Sequence, residues 1–137
     1  MKTLATVPNV RKLIVDYLTP ALITQGEDVT VGIDLPAGWT TATKPHILVA
    51  LDGTPEAEYP ISAAASIRIT AFCATAAQYR AEHLSTLCQG LLLAHSGGGG
   101  IAGIQFLSGA LPATDPATTA AMSFVAVRVN LRYSVIA

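Results

Sequence analysis

Between Ser66 and Leu92 the chain changes its hydrophobic period. In SIRITAFCA every second residue (Ile67, Ile69, Ala71, Cys73) is apolar, with Arg68 and Thr70 between them. Such alternation belongs to a strand with one buried face. Beyond Thr75 the spacing turns helical. Ala77, Leu84, Leu87, Cys88 and Leu91 form one stripe, and Gln78, Glu82, Ser85 and Gln89 fall outside it. Thr75 and Gln78 have the spacing of a capping box, where a hydroxyl accepts from a free helix N–H and an amide reaches back. The junction predicts a strand running straight into an amphipathic helix.

The same reading extends along the chain. Val10, Leu13, Ile14, Tyr17, Leu18, Ala21 and Leu22 recur at helical spacing and predict a helix over 7–23. Thr6 is its expected N-cap, Pro8 suits the first turn, and Pro20 should kink or loosen the last. Strands are predicted at 28–34, 46–52, 101–109 and 122–136. In the last, Val125, Val127, Val129, Leu131, Tyr133 and Val135 oppose Phe124, Ala126, Arg128, Asn130, Arg132 and Ser134. Residues 53–64 read as a loop or as a projecting hairpin arm. Gly97 to Gly100 stop the second helix and make a turn.

The order α-β-β-β-α-β-β predicts one domain over 1–137. Its class is α+β, a two-layer sandwich with a mainly antiparallel five-stranded sheet and two helices on one face. The other face, with Arg68, Thr70, Arg128, Asn130 and Arg132, stays partly polar.

Composition moves the question from chemistry to assembly. The 137 residues are 51% hydrophobic and only 12% charged, where about 25% charged is usual. A surface so poor in charge suits a subunit covered by other subunits. The net charge of −1 gives no electrostatic footprint for reading nucleic acid. No run of about 20 apolar residues predicts a membrane span, and the N-terminus lacks the apolar segment of a signal peptide. These features predict a protein made in a cytosol-like compartment, with no membrane partner.

Tests for catalytic or binding chemistry come out negative. Gly98, Gly100 and Gly103 fit G-x-G-x-x-G, but they follow a helix and open a strand, the reverse of the dinucleotide fingerprint. His46, His83 and His95 have no ligand spacing. Glu56 and Glu58 stand two apart in a loop, where they do not converge as an acid pair would. No nucleophile motif is present, and Cys73 and Cys88 are expected as reduced, buried thiols. No catalytic residue, metal or cofactor is expected, and the chain does not read as an enzyme. Trp39 either plugs the end of the core or anchors an interface. Arg68, Arg128 and Arg132 form a positive patch if the last strand lies near the third, and that patch could meet Glu56 and Glu58 of a neighbouring copy. The alternative is a solvated sheet face.

The opening helix VRKLIVDYL, the stretch before SIRITAFCA, the junction ATAAQYRAEHLSTLCQGLL and the closing FVAVRVNLRYSV together resemble the tail terminator (tail completion) proteins of long non-contractile-tailed bacteriophages. Phe72, Ala74, Tyr79, Ala81 and Leu84 fit that family's strand-to-helix pattern. The loops at 35–45 and 109–121 carry no family signature. The resemblance implies a virion structural protein, assembled in the host cytoplasm and placed at the head–tail junction. It implies a homo-oligomeric ring, a hexamer, that caps the head-proximal end of the tail tube, ends tube polymerisation and joins the tail to the head connector. Its partners would be other copies of itself, the tube protein and the connector protein, with DNA only passing through the lumen. Subunit contacts are expected at Arg68, Arg128, Asn130 and Arg132, against Glu56, Glu58 and Tyr59, with Trp39 as a further anchor. The rival readings are another head–tail connector or minor tail protein, or a small ligand-binding module using a cleft between the second helix and the glycine turn.

Overall fold

The computed structural model describes residues 4–6, 8–52, 56–58 and 62–136, with the side chains at 56–58, 62 and 134–136 outside that description. The elements run β1 (Leu4–Thr6), α1 (Val10–Thr24), β2 (Thr30–Gly32), β3 (His46–Leu51), β4 (Glu56–Glu58), β5 (Ser62–Thr75), α2 (Gln78–Leu93), β6 (Ile101–Thr114), β7 (Ala120–Leu131) and β8 (Ser134–Ile136). The main sheet has the order β2-β3-β5-β7-β6, and β4 pairs with β5. Helix α2 lies on β5, β6 and β7; α1 lies on α2, β2 and β3. This is the expected α+β arrangement.

Alternation on β5 and β7 builds the core. Ile67 pairs with Val127 and Ile69 with Val125, while Ile69 and Ala71 face Val49 and Ile47 of β3. All seven are buried. Helix α1 covers them with Ile14, Leu18 and Leu22, spaced four apart so that one stripe faces inward. Each fully buried aliphatic side chain contributes roughly 1.5–3 kcal/mol.

Several expectations need correction. The pairs among β3, β5, β7 and β6 are antiparallel, but β2 joins β3 in parallel and spans only Thr30–Gly32. Thr6 belongs to β1, and Asn9 is the N-cap of α1, its side chain accepting from the Lys12 N–H at 3.3 Å. Helix α1 starts three residues later than expected, at Val10, and runs to Thr24 with Pro20 inside it. The capping box does not form. Ala76 at φ +64° turns the chain between strand and helix, so Thr75 stands too early to cap. Its hydroxyl meets that of Thr119 at 3.0 Å, and the Gln78 amide donates to the Ala113 carbonyl at 2.9 Å. Residues 56–58 pair antiparallel with 62–64, which is the hairpin-arm alternative for that stretch. The expected strand over 122–136 is two: β7 ends at Leu131, and β8 pairs with β1 in a separate ribbon. Strand β6 runs five residues beyond the predicted end, to Thr114, with three register shifts against β7.

The glycine run turns as expected. Gly97 to Gly100 all have positive φ, and a Cβ on Gly100 would lie 2.8 Å from the Pro8 ring. Only glycine meets both demands without strain.

Helix α2 is rotated from its expected facing. Its buried row is Ala81, Leu84, Ser85, Cys88, Gln89 and Leu92, so Ser85 and Gln89, read as outward, point at the sheet. The compensation is hydrogen bonding. Ser85 Oγ lies 2.9 Å from Ser123 Oγ, and the Gln89 amide donates to the carbonyls of Ser108 (2.7 Å) and Ala126 (3.2 Å). Those carbonyls sit where β6 slips register against β7, and a bulge disturbs the ladder locally. Replacing Gln89 with Leu should therefore cost about 1–3 kcal/mol in urea unfolding, because it removes the donor from buried carbonyls. Unchanged stability would show that Gln89 is not holding the bulge.

Candidate interaction surface

Because side chains alternate across a strand, the sheet face away from the helices is defined by register. One row crosses it from Ala50 through Arg68 to Ala126, and the next joins Ser66 to Arg128 and Gln105. Strand β7 does lie beside the third predicted strand, so Arg68 and Arg128 are diagonal neighbours. Arg68 is exposed, its guanidinium carbon 5.8 Å from the Phe124 ring centroid, within cation–π range. Arg128 and Asn130 are half-buried, and Asn130 Nδ2 donates to Gln105 Oε1 at 3.4 Å. Arg132 does not join this row. It follows the end of β7, and its backbone N–H donates to the Gly100 carbonyl at 2.8 Å. Glu56 and Glu58 stand in register with Ala64 and Ser62, and Ala64 pairs in turn with Asn130. Position 56 thus falls in the row of Asn130, one row from that of Ser66 and Arg128, within the same protomer. Tyr59 lies outside the described residues.

Trp39 does not plug the end of the main core; it sits in a small separate cluster. It is 7% exposed and packs with Phe72, Ala120, Leu35, Leu48 and Met122. Its ring meets Phe72 edge-on at 5.9 Å, and its indole N–H donates to the Lys44 carbonyl at 3.1 Å. The loop 33–45 thereby closes one end of the otherwise uncovered face.

The sequence reading places a strand at 101–109 but misses that β6 is an edge with exposed apolar side chains. This edge strand has no charged residue in IAGIQFLSGALPAT, and Phe106, Leu107 and Leu111 are 58%, 47% and 49% exposed. Edge strands are usually protected by charge, and depletion of charge with exposed aromatics marks protein interfaces. At the opposite edge, a cleft of about 390 Å³ opens between α1 and β2, lined by Asn9, Lys12, Val15, Gly32 and Ile33. A second cleft, about 370 Å³, runs over the outer side of α2 past His83, Leu87, Gly90 and Leu91. It does not reach the glycine turn proposed for a ligand site.

Glu27 anchors a cluster of charged side chains. Glu27, with its side chain 13% exposed, accepts from Arg80 at 2.6 Å and lies 3.2 Å from His83 Nε2. The Arg80 hydrogen bond is the main cause holding its carboxyl below the ordinary range, and the cluster ties α2 to the segment after α1. Burial pushes the Cys88 thiol up to about 12 and raises Cys73 also. Both cysteines are free and buried, hence poor nucleophiles. Among the described residues no group of three or more His, Cys, Asp and Glu side chains could hold a metal, and no helix is long and apolar enough to cross a membrane.

His46 fastens β2 to β3. Its Nε2 meets the Asp34 carbonyl at 2.8 Å and must donate, so in the neutral ring Nδ1 accepts from the Thr30 hydroxyl at 2.6 Å. Burial lowers its pKa below the ordinary 6.5, with the Asp34 contact opposing. The unfolded chain then binds the proton more readily than the folded one. Stability is fully present above 6.5 and falls as pH drops toward the folded pKa. Glu27 acts in the same direction only below its ordinary 4.5. His46→Gln, which can keep both bonds without titrating, should flatten the fall in melting temperature as pH drops below 6.5; an unchanged slope would assign it to other groups.

No family model matches the chain, and no curated protein matches it significantly.

Proposed function

We propose that this chain is a virion structural protein, a tail terminator whose ring caps the head-proximal end of a phage tail tube. In this reading the ring, a hexamer, ends tube polymerisation and joins the tail to the head connector, while DNA passes through its lumen without being read. The observation that carries the proposal is the uncharged β6 edge with Phe106, Leu107 and Leu111 exposed. A subunit of a closed assembly needs such a surface, and a freely soluble domain gains nothing from it. The helix-bearing face is built for packing within the protomer, which leaves the opposite face and the two sheet edges for other chains. The resemblance in sequence pattern supplies the choice of assembly. The low charge suits a lumen through which DNA must slide, since neutralising phosphates would hold it in place.

Two measurements test this. Added to polymerising tube protein, the purified chain should stop growth at one end and shorten the tubes. In particles from a lysate whose phage encodes it, antibody label should fall at the head–tail junction. Label along the whole tail would make it a tube protein, and the absence of label from every particle would remove it from the virion.

A further inference from the structure

We propose that copies of this chain associate edge to edge. The β6 edge of one copy lies along β2 of the next, and Phe106 and Leu107 enter the cleft between α1 and β2. The inference rests on the ring-forming reading above and names the contact that would close the ring.

Strand direction is the first argument. β5 runs opposite to β3, β7 opposite to β5, and β6 opposite to β7, while β2 runs with β3. The two edge strands of the path therefore run in opposite directions. A rotation that carries one copy to the next about an axis along the strands keeps their directions. It brings β6 antiparallel to the neighbour's β2, the orientation in which strands pair most readily. A contact between unlike edges is heterologous and closes into a ring when the rotation fits.

The surfaces match in kind. Phe106 and Leu107 project at a register shift of β6, where a bulge re-aims side chains. The facing cleft is lined by Val15, Gly32 and Ile33 together with Asn9 and Lys12.

Area is the third argument. A strand of the length of β6, Ile101–Thr114, extends about 46 Å, and a sheet layer is about 10 Å thick. Strand β2 offers only Thr30–Gly32, about 10 Å of pairing edge, so the rest of β6 must lie along α1 and the loop after β2. With the whole β6 edge covered, a pair of copies buries at most roughly 900 Å², just under the roughly 1,000 Å² of a specific interface. One contact is marginal, whereas ring closure gives each copy two. Assembly should therefore go from monomer to closed ring with few intermediates.

The test uses the full chain in three forms. Wild type is measured by light scattering after gel filtration, Phe106→Asp is measured the same way with circular dichroism as a check on folding, and Leu107→Cys with Ile33→Cys is oxidised and run without reductant. The native thiols are buried and do not compete. The expected result is a closed oligomer for wild type, a folded monomer for Phe106→Asp, and a ladder of cross-linked chains ending at the ring. An assembled wild type whose Phe106→Asp variant also assembles, or whose cysteine pair gives no ladder, overturns this contact and leaves the ring reading standing. Dimers from Leu107→Cys alone would show β6 pairing with β6 and overturn it as well. Should Phe106→Asp fail to fold, the ladder alone decides. A wild type that stays monomeric at every concentration overturns the ring reading itself.

Discussion

The ladder between β5 and β7 is the constraint on which the rest of this structure depends. It is unbroken from Ala63 opposite Leu131 to Cys73 opposite Ala121. Because side chains alternate with period two, that single register decides which residues become core. It sends Ile67, Ile69, Val125 and Val127 toward the helices and Arg68, Phe124 and Arg128 the other way. A slip of one residue would bury the arginines and expose the valines, at the cost of unpaired charge in the core. Strand β3 then takes its register from the other side of β5, and both helices land on the apolar face so defined.

The second feature that specifies the fold is polar. A helix landing on a flat, wholly apolar sheet could slide or rotate with little penalty. Ser85 and Gln89 limit that freedom, because the Gln89 amide must reach carbonyls on β6 and β7 and the Ser85 hydroxyl shares a hydrogen bond with that of Ser123 on β7. The Gln78 amide adds a third point at the N-terminal end of α2, on the Ala113 carbonyl. A buried donor that loses its acceptor is penalised far more than a made bond is rewarded. These three contacts therefore fix the position of α2 more than they stabilise it.

Much of this was legible in the sequence, where a local period decides the outcome. The alternation in SIRITAFCA and FVAVRVNL gave the two central strands and their facing, and with them the neighbouring positions of Arg68 and Arg128. The facing of α2 was misread because two adjacent rows are both partly apolar, and periodicity cannot choose between them when a glutamine has a backbone acceptor waiting. The parallel sense of β2 depends on a distant pairing of three residues, too short to leave a pattern. The exposure of Phe106 and Leu111 was hidden for a topological reason. An apolar strand reads as buried until its place at the end of the sheet is known. For Trp39 both roles suited the residue, and only the fold of the loop 33–45 put the ring against Phe72.

The ribbon of β1 and β8 brings the two ends of the described chain together, with Leu4 opposite Ile136. The path of the backbone is thus nearly a closed loop. A short peptide linker could join its ends, and new ends could be opened in a turn elsewhere without redrawing the core. Whatever is attached to either end, whether an affinity tag, a fluorescent protein or another domain, leaves the protein from the same place and points to the same side of any assembly it enters.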